Sequence, residues 1–215
     1  GRVLQELRRY EEALDAHQTA RNLYQQTGDT HGEAATWNNL GRVLQELRRY
    51  EEALDAHQTA RNLYQQTGDT HGEATTWNNL GRVLQELRRY EEALDAHQTA
   101  RNLYQQTGDT HSEAAAWNNL GTAYRGLERF EEAVAAGQRA AEMLAAAEDW
   151  FRTGEAWGEL ATTLTAAHAD PQQVTDAWNH SATAYTQAGA EEEATTSRTN
   201  ATSTGAGTGT DTPEP

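Results

Sequence analysis

Cysteine is absent from the 215 residues, which excludes disulfides, thiolate nucleophiles and cysteine-ligated metal sites. Lysine and isoleucine are absent too, and all 17 basic residues are arginine. Set against 33 acidic residues, they leave a formal net charge of -16 at pH 7. That is the wrong sign for a general nucleic-acid binder, whose affinity comes from clustered cations displacing counterions. Anionic membrane surfaces repel the same charge. Hydrophobic residues make up 36%, below the ~45–50% of an ordinary globular chain (a figure that counts glycine), so no large central core is expected. No run approaches the ~18 apolar residues of a membrane span and no signal peptide is visible, so the expected location is cytoplasmic. Phosphate loops, nucleophile elbows and HExxH zinc motifs are missing as well, so neither catalysis nor a cofactor is expected.

What is present is repetition. Residues 1–40 recur as 41–80 with one change, Ala35 to Thr75, and again as 81–120, where Gly72, Thr75 and Thr76 become Ser112, Ala115 and Ala116. A diverged fourth copy keeps Gly121, Leu127, Phe130, Glu131, Glu132 and Ala133 in phase, and a fainter fifth keeps Trp157, Leu160 and Leu164. A fixed period of this length points to stacked supersecondary units, none of which buries its apolar face alone. The expected units lie near 1–30, 31–70, 71–110, 111–150 and 151–190. The first is truncated, because Gly1 corresponds to Gly41 in the middle of a helix.

Each unit reads as two helices. Ala34, Trp37, Leu40, Val43, Leu44 and Leu47 fall at steps of three and four, giving a helix over about 31–47. Thr30 with Glu33 fits a capping box at its start. A second helix over about 50–67 places Ala53, Leu54, His57, Ala60, Leu63 and Tyr64 on one face and ends at Gly68. The short connection requires the two to fold back antiparallel. Trp37, Trp77 and Trp117 are expected between helices rather than on a ligand, since each buries ~150–250 Å², worth roughly 4–6 kcal/mol. His57 and its copies, one per repeat with no second ligand at i, i+4, read as packing residues that hydrogen-bond a neighbour, so no metal is expected. Asp170 and Pro171 open a last long helix, and the Thr, Ser and Gly-rich stretch 195–215 is expected to be disordered.

Trp37-x2-Leu40-Gly41-x2-Leu44 followed by Ala53-x3-His57 and Ala60 resembles the tetratricopeptide repeat. At 40 residues the unit is similar to the longer variety of kinesin light chains, of the Pins/LGN adaptors and of bacterial arrays linked to signal-transduction NTPases. Leu44, His57 and Gly68 depart from that pattern, where Tyr, an aromatic residue and Pro are usual. The resemblance implies an all-α, right-handed superhelical solenoid of antiparallel helix pairs. It also implies a concave groove, lined by the first helices, that binds a peptide or protein.

The groove residues implied are Asn38, Asn39, Arg42 and Gln45 in one copy and Asn78, Asn79, Arg82 and Gln85 in the next. Asn118 and Asn119 follow in the third, where Thr122 replaces the arginine and Arg125 lies one turn further on. Amides can both donate to and accept from a peptide backbone, and a guanidinium grips a carboxylate, so a ligand with acidic groups is expected. The competing reading makes the asparagines a register device between repeats and pairs each arginine with the glutamate four residues later. Two further roles stay open: a regulatory segment of a larger signalling NTPase or transcriptional regulator, and a rod that self-associates head to tail.

Overall fold

The computed structural model describes residues 2–206. Ten α-helices and no β-strand occur among the described residues. They divide into two compact units, Gly1–Asp109 and Thr110–Pro215. The first holds α1 (Arg2–Thr27), α2 (Thr30–Glu46), α3 (Tyr50–Thr67), α4 (Thr70–Glu86) and α5 (Tyr90–Thr107). The second holds α6 (Thr110–Gly126), α7 (Phe130–Ala146), α8 (Trp150–Ala166), α9 (Pro171–Gln187) and α10 (Glu191–Ala206). Within each unit every helix packs on its neighbours in the chain, and α2 touches α4 as α6 touches α8, so each unit is a stack of helix pairs.

Two kinds of turn build a pair. After α3, Gly68 takes φ 70, its N–H donates to the Gln65 carbonyl, and the Asp69 N–H donates to the Tyr64 carbonyl. These are the bonds of a Schellman motif, and glycine suits its left-handed position. After α2 the same bonds form from Arg48 to Gln45 and from Arg49 to Leu44, but the left-handed residue is Arg48, at φ 57. Arg88, Glu128, Glu148 and His168 repeat the pattern. An L-residue costs about 1–2 kcal/mol in that conformation, so packing of the helices it joins must offset it.

That packing rests on small residues. Ala34, Ala53, Ala60, Ala74 and Ala93 are fully buried and let helix backbones approach, while Leu14, Leu40 and Leu44 fill the space between α1, α2 and α3. Gly41 and Gly81 sit at two such close approaches: a Cβ on either would lie 2.5 Å from the buried His57 or His97 ring. In the second unit Gly137 stands where the histidine stood and packs on Leu160.

Three expectations need correction. The α2 cap is Asp29, whose Oδ1 accepts from the Gly32 N–H at 2.8 Å, rather than Thr30 in a box with Glu33. Glu33 instead accepts from Gln25 and from the Trp37 indole. The first copy does not turn at residues 7–9 but runs as one 26-residue helix, α1. Finally, residues 195–206 are helical. α10 lays Ala194, Ser197 and Ala201 against α9, with Ser197 Oγ 3.0 Å from the buried Ser181 Oγ. Its remaining residues are mostly Thr, Ser, Glu and Asn, so composition alone gave it the signature of disorder. The rest of the expected tail, 207–215, lies outside the described residues.

Candidate functional site

Side chains leave a helix at about 100° per residue, so α2 has two distinct long faces. Asn38, Asn39, Arg42, Gln45 and Glu46 share one, and Trp37, Leu40 and Leu44 share the other.

On the first face the asparagines do not all point outward. Asn38 Oδ1 lies 3.0 Å from His57 Nδ1 on α3 and accepts from Asn79 Nδ2 on α4, also at 3.0 Å. An amide oxygen only accepts, so His57 carries its proton on Nδ1. Its Nε2 is buried without a partner against Gly41. Asn78 and His97 repeat the bond at 3.0 Å. Burial, helped by the charges of Arg82 and Arg42, pushes His57 from 6.5 to about 3; burial and then Arg82 do the same to His97. Both rings are therefore neutral at physiological pH; the Asn–His bonds tie first helix to second, and the Asn79–Asn38 bond ties one repeat to the next. The Asn38 oxygen thus bridges the second helix of its own repeat and the first helix of the next. Asn79, 7% exposed, is committed to the same network.

Other residues of this face do reach solvent. Arg42 and Arg82 are exposed, and neither makes an ion pair or hydrogen bond among the described residues; the expected pairing with Glu46 or Glu86 does not form. Asn39, Arg42 and Glu46 line a cleft of about 410 Å³ with Tyr10 and His17 of α1. Gln45 and Gln85 are half-buried. In the second unit Asn118 and Asn119 are half-buried, and Arg125 is not free: its Nη1 lies 3.3 Å from Glu159 Oε2 and 3.4 Å from Thr163 Oγ1 on α8.

The second face was missed by the sequence reading. Between successive second helices lie two matching clefts. One, of about 290 Å³, lies between α1 and α3 over Trp37, Leu40 and Leu44; the other, of about 320 Å³, lies between α3 and α5 over Trp77, Leu80 and Leu84. Each tryptophan is half-buried rather than enclosed. The Trp77 indole donates to Glu73 Oε1 at 3.3 Å, with the Arg61 guanidinium 4.7 Å from the ring centre; Trp37 is held by Glu33 and by Arg21 at 4.9 Å. Both rings are thereby fixed before any ligand arrives.

Inter-repeat contacts complete the local chemistry. His31 Nδ1 lies 3.5 Å from Asp69 Oδ2, His71 Nδ1 3.6 Å from Asp109 Oδ2, and His111 Nε2 3.5 Å from Asp149 Oδ2, all on partly exposed side chains. No group of three or more acidic, histidine or cysteine residues is arranged to hold a metal among the described residues. No helix there is long and apolar enough to cross a membrane.

An all-α stack of antiparallel pairs with these small-residue contacts is a helical repeat array. The chain belongs to the tetratricopeptide repeat family, which it matches over residues 1–70 and 72–146. Repeats of this family are generally protein–protein interaction modules. No curated protein sequence matches the chain at a significant level. Among solved structures it is similar to BtubC (BKLC) from P. vanneervenii, at 17% identity and TM-score 0.64, covering 97% of this chain and 94% of that one. It is also similar to a single-substitution variant of a putative kinesin light chain with nearly identical TPR-like repeats from Podosopora anserina. There the identity is 16% and the TM-score 0.70, over 87% of this chain and 92% of that one. At such identities the likeness concerns the fold.

Proposed function

We propose that the first-helix face of the first unit receives a protein segment carrying acidic side chains. The observation behind this reading is the pair Arg42 and Arg82, two equivalent guanidiniums exposed one repeat apart with no internal partner among the described residues. A carboxylate presented to either forms two parallel hydrogen bonds, the geometry for which arginine is suited. Asn39, open to the cleft beside Arg42, supplies an amide to the ligand backbone. Each such bond contributes about 0.5–1.5 kcal/mol, so binding needs several repeats at once. Gln45 and Gln85 flank the arginines, whereas the Arg125–Glu159 pair removes the corresponding cation from the second unit.

The test is titration of a glutamate-rich peptide into the whole chain and into the Arg42→Ala/Arg82→Ala variant. A loss of ten-fold or more in affinity supports the reading; equal affinities reject it. Head-to-tail assembly into a rod has less in its favour. Leu23 is 57% exposed on α1, but α10 offers mainly Thr and Ser outward, so the two faces that would have to meet are unlike. Constant mass in light scattering across a concentration series excludes the rod.

A further inference from the structure

The arginines of the first-helix face do not stand alone. One turn after each, on the same helix and the same face, an exposed glutamate follows: Glu46 after Arg42 on α2, and Glu86 after Arg82 on α4. At 1.5 Å of rise per residue, the four-residue step sets arginine and glutamate about 6 Å apart along the helix axis. α2 and α4 both run antiparallel to α3 and touch one another, so the four residues form two rows across the repeats, one cationic and one anionic. No ion pair joins Arg42 to Glu46 or Arg82 to Glu86 among the described residues. An exposed pairing across one helical turn is too weak to withhold either group from a ligand. Glu86 is steadied by the Tyr50 hydroxyl of α3, which donates to its Oε2 at 3.4 Å and leaves its charge intact. Both rows stop together at the second unit, where α6 carries Thr122 and Gly126 at the two positions.

These four residues are balanced in net charge but ordered in sign. A wholly acidic segment meets the glutamate row with like charge, and a wholly basic one meets the arginine row the same way. A segment with acids along one edge and bases along another satisfies both rows, and like-charge opposition penalises any other order. The spacing suits an extended ligand. Touching helices stand about 8–10 Å apart. A polyproline-II chain returns to the same side every three residues, a rise of about 9 Å. Acids three residues apart therefore reach Arg42 and Arg82 in turn. The residue after each acid leaves the chain on a different side, where it can face the second row.

We propose that the first-helix face selects a charge-paired segment, with carboxylates set against Arg42 and Arg82 and cations set against Glu46 and Glu86. This rests on the docking of acidic side chains at the two arginines and narrows the partner from an acidic segment to one that carries both signs in register. The arginine row supplies attachment, and the glutamate row supplies discrimination.

The probes are three blocked peptides on a Gly-Ser background, titrated calorimetrically into the full chain at low ionic strength, where exposed charges are least screened. The first carries two glutamates three residues apart. The second adds an arginine directly after each glutamate. The third has the composition of the second, but both arginines stand at one end beyond a Gly-Ser spacer, so the net charge is equal and only the order differs. The second should bind at least three-fold more tightly than the third. Glu46→Gln with Glu86→Gln should abolish that preference and tighten binding of the first peptide, which no longer meets a like charge. Glutamine keeps an oxygen for the Tyr50 hydroxyl, so the melting temperature should hold. Removing two other exposed charges, Glu131→Gln with Glu142→Gln, should leave the preference within two-fold of the parent's. Equal affinity of the parent for the second and third peptides overturns the proposal. So does a preference that survives the Glu46/Glu86 replacement, or one that the Glu131/Glu142 replacement also removes. Arg42→Ala with Arg82→Ala tests attachment by itself. If that variant binds the first peptide as the parent does, attachment at the arginines is rejected; if it loses the peptide while the parent ignores charge order, only the charge-paired ligand is rejected.

Discussion

Residues 2–27 and 42–67 are identical letter for letter, yet one stretch is a single helix and the other two helices with a reversal between them. Local propensity cannot account for the difference, because it is the same in both. What differs is the company. Ahead of Arg42 stand Ala34, Trp37 and Leu40, which complete α2 and pack it across α3. The counterparts of those residues fall outside the 215 residues. Without that burial nothing offsets the left-handed conformation Arg48 adopts, and the corresponding Arg8 stays helical. The Schellman turn is thus a product of pairing rather than its cause.

The largest effect on this comparison comes from supplying the missing residues. A chain with a copy of residues 30–40 placed ahead of Gly1 is expected to fold α1 back at residues 7–9. Spin labels at Arg2 and Asp15 should then move from about 20 Å, the rise of thirteen helical residues, to about 10 Å, the spacing of packed helices. An unchanged distance means that the break is not set by the partner helix.

Acid comes next. His57 and His97 are held to about 3 in the folded protein, mainly by burial, against 6.5 for an ordinary histidine. A depressed histidine keeps its full contribution above the unfolded value and loses it as pH falls from about 6.5 toward 3, because the unfolded chain takes up the proton first. At up to about 1.4 kcal/mol per pH unit for each ring, the two together lose roughly 3–4 kcal/mol between pH 6.5 and 5. Gly137 stands at the corresponding position in the second unit. Hydrogen exchange at pH 5 should therefore show α3 and α5 opening before α7 and α8. Uniform loss across both units breaks the argument.

Asn38→Ala should follow at about 2–4 kcal/mol, since it strips a partner from both His57 and Asn79. Urea unfolding measures it; a loss below about 1 kcal/mol, the worth of one ordinary hydrogen bond, means that the amide network carries little of the inter-repeat coupling. The smallest effect is also the sharpest. Arg48→Gly relieves a left-handed L-residue and should stabilise by about 0.5–1 kcal/mol, whereas Arg8→Gly puts glycine inside a helix and should destabilise by about as much. The same replacement in the same local sequence changing sign would isolate the tertiary contribution.

Much of the architecture was legible beforehand because its signals are local. The three- and four-residue steps from Ala34 to Leu47, the glycine after Thr67 and the Asp170–Pro171 start each act through their immediate neighbours, and each helix stands within a residue or two of where they put it. The polar contacts of the helix faces were legible only in part. Arg42 and Arg82 reach solvent as expected, but whether an amide faces a ligand or a neighbouring helix depends on what lies nineteen or forty-one residues away, as with Asn38, His57 and Asn79. The Arg125 contact is of the same kind: Glu159 is thirty-four residues off. The clefts over Trp37 and Trp77 require three helices at once, so no single helix pattern marks them.

By itself the sequence determined the period, the helices and the family, because hydrophobic spacing and glycine placement are written within one repeat. Tertiary structure alone decided three things: whether an identical stretch bends, whether a Thr- and Ser-rich tail finds a helix to cover, and which polar groups remain free to bind. Those outcomes depend on burial against a partner helix, and burial is a property of the stack rather than of any segment in it.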